Sequence, residues 1–314
     1  MLKKISASVL FDSNYIEPAL LTAYEIIKGN FSISDLILIF LDNSQEVDAE
    51  ASIIINNFTE KFKDYFSISA IKVENTIPNF SKYHFTNSII YKPLIPDLIK
   101  NKDFIINIDA GIIPGANFNK FLDQSIEQSL ENKSNWIISA FCELSAGLLP
   151  NGLDKFDANI LYPNGQVLLF NCDNFRSTSF LARYLEKYNL LSEYLVYAEQ
   201  ELMCITLNEE ELLELPLNGE RFNYELNIHS LSDVSLIYNY KNIDESCTYS
   251  KIIGTLKPWK YWVLDPNKKH WIEKIKNMEN EFPISSYELI SKNRHEITHQ
   301  AFQKAFLESH HKNI

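Results

Sequence analysis

A chain of 314 residues with 46% hydrophobic and 13% aromatic side chains can bury a substantial core, which excludes global disorder and leaves room for one large domain with an appendage. Its 29 basic against 41 acidic residues give a formal net charge of -12, which argues against general nucleic-acid binding but not against a small basic pocket for phosphate. The start, MLKKISASVLFDSNY, has too short an apolar run for a secretory signal, no stretch approaches the ~20 apolar residues of a membrane span, and Cys142, Cys172, Cys204 and Cys247 show no zinc spacing, so the expectation is a cytoplasmic protein whose cysteines are small buried hydrophobes.

In chain order, Ile5 to Phe11 is a β-prone run, and Ile16 to Lys28 repeats apolar residues at helical spacing up to Gly29. Leu36 to Leu41 predicts a second strand, Glu46 to Phe66 an amphipathic helix and Ser67 to Val73 a third strand. This alternation predicts an α/β protein, a parallel sheet with helices on both faces. A helix interrupted at Pro93 and Pro96 spans Asn87 to Lys100. The stretch Asp103 to Pro114, DFIINIDAGIIP, then reads as a buried strand that delivers Asp109 to a turn at Ala110 and Gly111. Ligands of open α/β sheets bind outside the carboxyl ends of the strands, so Asp109 is placed either for function or as a turn cap.

A helix around Asn117 to Gln128 and a strand from Trp136 to Phe141 come next, then a Gly-, Pro- and Asp-rich loop from Ser145 to Asn159. The strand Gln166 to Asn171 leads to helices around Ser177 to Asn189 and Glu199 to Leu207, and to a late strand at Leu236 to Tyr240. From Pro266 the character changes to a helical extension richer in Lys and Arg than in Glu, with most of the histidines of the chain (His270, His295, His299, His310 and His311). The expected division is a main domain of residues 1–265 and a tail of 266–314. The tail is expected to pack on the core or a partner, with peripheral attachment at the inner face of a membrane as the sharper alternative. His295-Glu296-Ile297-Thr298-His299 matches HExxH, but a third zinc ligand of the usual spacing is missing, since Ala305 stands where a histidine would complete the longer pattern.

Several groups could carry chemistry. Asp12, Asn14 and Tyr15 follow the first strand, where they could read a base and ribose or merely cap a helix. Lys92 could reach an anionic substrate or be a solvated charge. Asn164, in Pro163-Asn164-Gly165-Gln166, could hold a sugar hydroxyl or make a turn. Glu199-Gln200-Glu201 opens a helix, where acids suit the dipole. Gly254-Thr255-Leu256-Lys257-Pro258-Trp259 suits a loop folding over a diphosphate.

The order of these elements, DxNY, a mid-chain Asp, PNGQVLLFN, EQE and GxxKPW, resembles that of the family-eight retaining glycosyltransferases, from about Ile5 to Trp259. The resemblance implies a GT-A type, Rossmann-like mixed sheet flanked by helices, binding a nucleotide diphosphate sugar, UDP-linked by expectation, and a glycan acceptor such as a bacterial surface polysaccharide. It implies that Asp12, Asn14 and Tyr15 hold the nucleoside, that Lys92, Glu143 and Asn164 lie near the donor sugar, and that Gly254 and Lys257 contact the pyrophosphate. Asn223 matches the family's late Asn. Glu199-Gln200-Glu201 takes the place of its DQD, with Gln200 under the anomeric carbon and Glu199 beside the sugar.

The departures lie at the metal. Where the family carries two acids and a histidine for a divalent cation, this chain has Asp109, Gly111 and Lys251, and a single carboxylate is a poor divalent site. The expectation is therefore an enzyme needing no cofactor and no metal, with Lys251 as the cation that stabilises the leaving diphosphate and a partner for Asp109. The alternatives are a Mn²⁺- or Mg²⁺-dependent enzyme using Asp109 in a decayed Asn107-Ile108-Asp109 motif, a catalytically inactive nucleotide- or glycan-binding relative, and a zinc hydrolase built on HEITH. A homodimer is left open.

Overall fold

The computed structural model describes residues 5–77, 87–132, 135–144, 161–195, 198–215, 223–228, 248–254 and 268–291, with 143–144, 223–228, 250–254 and 268–270 described through their backbone. Strand β1 (Ile5–Phe11) and helix α1 (Ile16–Lys28) fall where the apolar spacing predicts. They are followed by β2 (Ile33–Asp42), α2 (Glu46–Phe62) and β3 (Ile68–Glu74). Helix α2 opens where Asp48 Oδ2 accepts the backbone N–H groups of Asn43 and Gln45, at 3.0 and 2.9 Å. A carboxylate there satisfies donors that the helix N-terminus leaves free. α2 ends at Phe62, short of the expected Phe66.

The stretch around Pro93 and Pro96 breaks into α3 (Ser88–Tyr91), a 3₁₀ turn (Lys92–Leu94) and α4 (Ile95–Leu98). A proline has no N–H to give and its ring clashes with the preceding turn, so a continuous helix is not available here. After β4 (Phe104–Ile108) and the short β5 (Ile113–Pro114) come α5 (Phe118–Glu131), β6 (Ile138–Leu144) and β7 (Leu161–Asn171). A short α6 (Cys172–Ser177), which was not expected, precedes α7 (Phe180–Leu191), the helix expected around Ser177 to Asn189, and α8 (Glu199–Thr206) leads to β8 (Leu212–Glu214). The chain continues with β9 (Asn223–Ile228), β10 (Tyr249–Gly254) and α9 (Lys268–Glu281). The expected loop at Ser145 to Asn159, the strand at Leu236 to Tyr240 and the HEITH segment lie outside the described residues.

The main sheet has seven strands in the order β3-β2-β1-β4-β7-β6-β8. β1, β2, β3 and β4 run parallel, whereas β7 lies antiparallel to both β4 and β6, so the sheet is mixed rather than all parallel. A second sheet, β5-β10-β9, flanks it.

Alternating side chains feed two cores. Val9, Phe11, Leu38, Phe40, Ile106 and Ile108 pack with α1, α2 and α5, and on the other face Leu10, Ile37, Ile39, Ile105 and Phe170 pack with α3, α4, α7 and α8. Trp271, Ile275 and Met278 of α9, with Phe282 after it, belong to the first core, and Phe282 meets the Phe58 ring edge-on at 5.2 Å. The described part of the tail is therefore built into the main core. Cys142, Cys172 and Cys204 are buried. Among the described residues no helix is long and apolar enough to cross a membrane.

Candidate functional site

The order 3-2-1-4 places the reversal of strand winding between β1 and β4, whose carboxyl ends open on one edge. Asp12 emerges from β1 fully buried, its Oδ1 accepting the N–H of Asn14 at 3.0 Å and so capping the 3₁₀ turn Ser13–Tyr15. Asn14 is exposed. Burial, then the negative charges of Asp12 and Asp109, raise the Tyr15 hydroxyl well above its ordinary range, against the pull of Lys92. The phenol is thus neutral and shares its surroundings with three charged groups.

Asp109 follows β4. Its N–H donates to the Gln166 carbonyl at 2.9 Å, continuing the antiparallel β4–β7 ladder to the edge. Lys92 enters from the other side, on the 3₁₀ turn that Pro93 imposes. It is not a solvated charge: only 5% of it is exposed. Its Nζ lies 2.7 Å from Asp109 Oδ1 and donates to Glu199 Oε1 at 3.2 Å and to the Gly165 carbonyl at 3.3 Å. An ammonium has three protons to donate, and three acceptors surround this one.

Burial alone would push the Lys92 ammonium down, but Asp109 and Glu199 outweigh it and hold the group above the ordinary lysine range. Burial raises the Glu199 carboxyl, with Lys92 opposing and Asp109 adding to the effect. One cation between two acids is an arrangement that leaves a buried charge uncompensated if any member is removed.

Local backbone geometry brings Glu199 here. Ala198, the residue before α8, has φ 52° and ψ -107°, a conformation that L residues rarely adopt and that marks strain at functional sites. A Cβ built on Gly165 would come 2.5 Å from Glu199 Oε1, so the carboxylate occupies space that any other residue at 165 would fill. Gln200, half-buried, has its Cγ 3.5 Å from that same point. Asn164 Oδ1 accepts the N–H of Gln166 at 2.9 Å inside β7, where the register against β6 shifts, so the expected turn is a bulge within the strand.

Gly111 stands where a second metal acid would be needed. It has φ 89°, and its N–H donates to Thr22 Oγ1 at 3.0 Å and to the Pro18 carbonyl at 3.2 Å. The turn is thereby tied into α1, and its backbone disfavours a side chain. Among the described residues no group of three or more His, Cys, Asp or Glu side chains could hold a metal ion. With Asp109 already facing an ammonium, these residues do not fit a divalent cation.

The second sheet adds the remaining positions. β10 pairs antiparallel with β5 (Tyr249 with Pro114, Ser250 with Ile113), and the next residue of β10, Lys251, pairs with Glu225 of β9. Gly254 ends β10. Tyr249 Oη donates to Gln166 Oε1 at 3.1 Å, fastening the second sheet to the first under the site. The backbone of Glu143 pairs with Tyr162 on the strand beside Asn164, and Asn223 opens β9. Lys257 lies outside the described residues.

The structure thus brings together Asp109, Lys92 and Glu199, with Tyr15 in their field. Gly165, Ala198, Thr22 and the Gln166–Tyr249 link were not picked out from the sequence. A glycine inside a strand-forming run was the one available signal, since such a residue marks close approach by another group.

The sequence by itself matches no family model and no curated protein. Solved structures do match. LgtC, a galactosyltransferase solved in complex with donor and acceptor sugar analogs, aligns over 87% of this chain and 96% of its own, with TM-score 0.58 and 13% identity. The bifunctional glycosyltransferase WbbM aligns over 92% of this chain with TM-score 0.60 and 16% identity, this chain spanning 52% of WbbM. The glycosyltransferase GlyE of Streptococcus pneumoniae TIGR4 aligns over 91%, with TM-score 0.53 and 14% identity, 64% of GlyE being covered. The fold of this chain is the GT-A glycosyltransferase fold.

Proposed function

We propose that the protein is a retaining glycosyltransferase that moves a hexose from a nucleotide diphosphate sugar, UDP-linked by preference, to a glycan acceptor. The observation that carries this reading is the buried Lys92 ammonium held between Asp109 and Glu199 at the carboxyl edge of a glycosyltransferase fold. That edge is where such a sheet takes a nucleotide.

In the proposed reaction the acceptor hydroxyl attacks the anomeric carbon on the face from which the diphosphate departs. The bond from that carbon to the diphosphate oxygen breaks, and a diphosphate oxygen takes the hydroxyl proton. The protein contributes position and charge. Asp12 and Tyr15 are assigned to the nucleoside, Asn164 and Gln200 to the sugar, and Gly254 to the diphosphate, with Lys257 assigned to the diphosphate from its place in the GxxKPW motif alone. Charge for the leaving group comes from Lys251, with no metal required. Gly111 in a turn tied to α1 and Asp109 paired with Lys92 support that part of the reading.

The test is release of UDP from a panel of UDP-hexoses by the purified chain, with and without EDTA, beside a thermal-shift series with the same compounds. Turnover unaffected by EDTA is expected. Loss on chelation with rescue by Mn²⁺ overturns metal independence, and a raised melting point with no UDP release converts the enzyme into a binding protein.

A further inference from the structure

We propose that Gly165 and Glu199 form a size-matched pair that fixes the position of the Lys92 ammonium, which makes Glu199 a positioning residue for that cation. The inference rests on the reading of this site as a nucleotide-sugar site and adds how its charge is aimed.

The same oxygen of Glu199 takes part in both relationships. Glu199 Oε1 lies 2.5 Å from where a Cβ at 165 would be, and it accepts the Lys92 hydrogen bond at 3.2 Å. Any side chain at 165 must push that oxygen, and the ammonium must then follow it or lose it. Gly165 acts on Lys92 a second time through its carbonyl, an acceptor at 3.3 Å. Glu199 has little freedom to yield: it is 3% exposed, and its helix begins at the strained Ala198.

With Asp109 at 2.7 Å as the third acceptor, all three protons of Lys92 have protein partners. Lys92 therefore acts on a diphosphate sugar through its charge, whose value depends on where the ammonium sits. A glutamate in this place, rather than an aspartate, is accommodated by the missing side chain at 165. The two positions are therefore coupled, and a shorter acid should tolerate a larger neighbour.

The experiment compares the full chain with Gly165→Ala, Glu199→Asp and the double variant, reading the melting temperature and both kcat and KM for UDP release from UDP-glucose and UDP-galactose. Displacing the cation by about an ångström in Gly165→Ala is expected to lower kcat by about 100-fold with a smaller change in KM. Adding Glu199→Asp is expected to recover about tenfold of that loss and part of the melting temperature, a non-additive result that contacting residues give and distant ones do not. Wild-type kcat in Gly165→Ala, or effects of the two substitutions that simply add, overturns the proposal. If the unaltered chain neither releases UDP nor is stabilised by it, the functional reading falls, and the melting temperatures of the four proteins still decide whether the two positions are matched in size.

Discussion

Lys92 Nζ and Asp109 Oδ1 are 2.7 Å apart, and the lysine side chain is 6% exposed against 17% for the aspartate. The pair joins a turn shaped by Pro93 to the carboxyl end of β4, elements that the chain places on opposite sides of the crevice. Replacing Lys92 with Met leaves Asp109 and Glu199 as two acids without their cation. Breaking a buried pair in this way costs about 3–5 kcal/mol. The expected outcome is a lowered urea midpoint that, multiplied by the slope m, gives a loss of that size, together with loss of UDP release. An unchanged midpoint would show that the ammonium contributes nothing to the fold.

Lys251 lies on β10 next to Ser250, which pairs with Ile113 of β5. If it supplies charge to the leaving diphosphate, Lys251→Ala lowers kcat far more than it weakens UDP binding measured by calorimetry. Unchanged kinetics would assign the whole task to other cations.

Gly111 should not accept a side chain. At φ 89°, with its N–H held by Thr22 and Pro18, Gly111→Ala is expected to destabilise the protein by about 1–3 kcal/mol. Gly111→Asp is expected to do the same without creating Mn²⁺-dependent turnover. A stable Gly111→Asp protein that responds to Mn²⁺ would show that the turn is freer than its hydrogen bonds indicate.

A pH prediction concerns Asp35, far from the site. Burial works against its charge, but hydrogen bonds from Ser34 at 2.6 Å, Lys102 at 3.0 Å and Ser6 at 2.8 Å hold its carboxyl below the ordinary range. A carboxyl whose folded pKa is depressed contributes stability that is fully present above its unfolded value of about 3.9 and is lost as the pH falls through the folded value. Asp35→Asn should therefore lower the melting temperature at pH 7 and narrow its difference from the unaltered protein as the pH falls below 4. A difference that does not vary with pH would assign the effect of the substitution to packing.

The parallel half of the sheet was legible because each strand and helix there carries its own period. β1 and α1 match the residues expected. The antiparallel placement of β7 against β4 was not legible from periodicity, because a buried apolar run such as QVLLF reads the same in either direction. β9 and β10 were missed for a related reason: short strands such as YSKIIG mix polar and apolar residues without clear alternation. At the site, Asp109 and Glu199 could be singled out as acids at element ends. Lys92 could be named as a candidate beside the donor, but its pairing with these two acids could not be read, since it reaches them only through a turn geometry that sequence spacing does not encode.

Ala198 is a hinge pin set off its resting angle. Its backbone at φ 52° and ψ -107° is less stable than the helical or extended alternatives, and the surrounding core holds it there. Selection for thermal tolerance alone would favour variants that relax this residue, with the core around Ala198 repacking to let it move. The variants so obtained would be sturdier proteins whose Glu199 points less reliably, so heat resistance and turnover are expected to diverge at this single peptide.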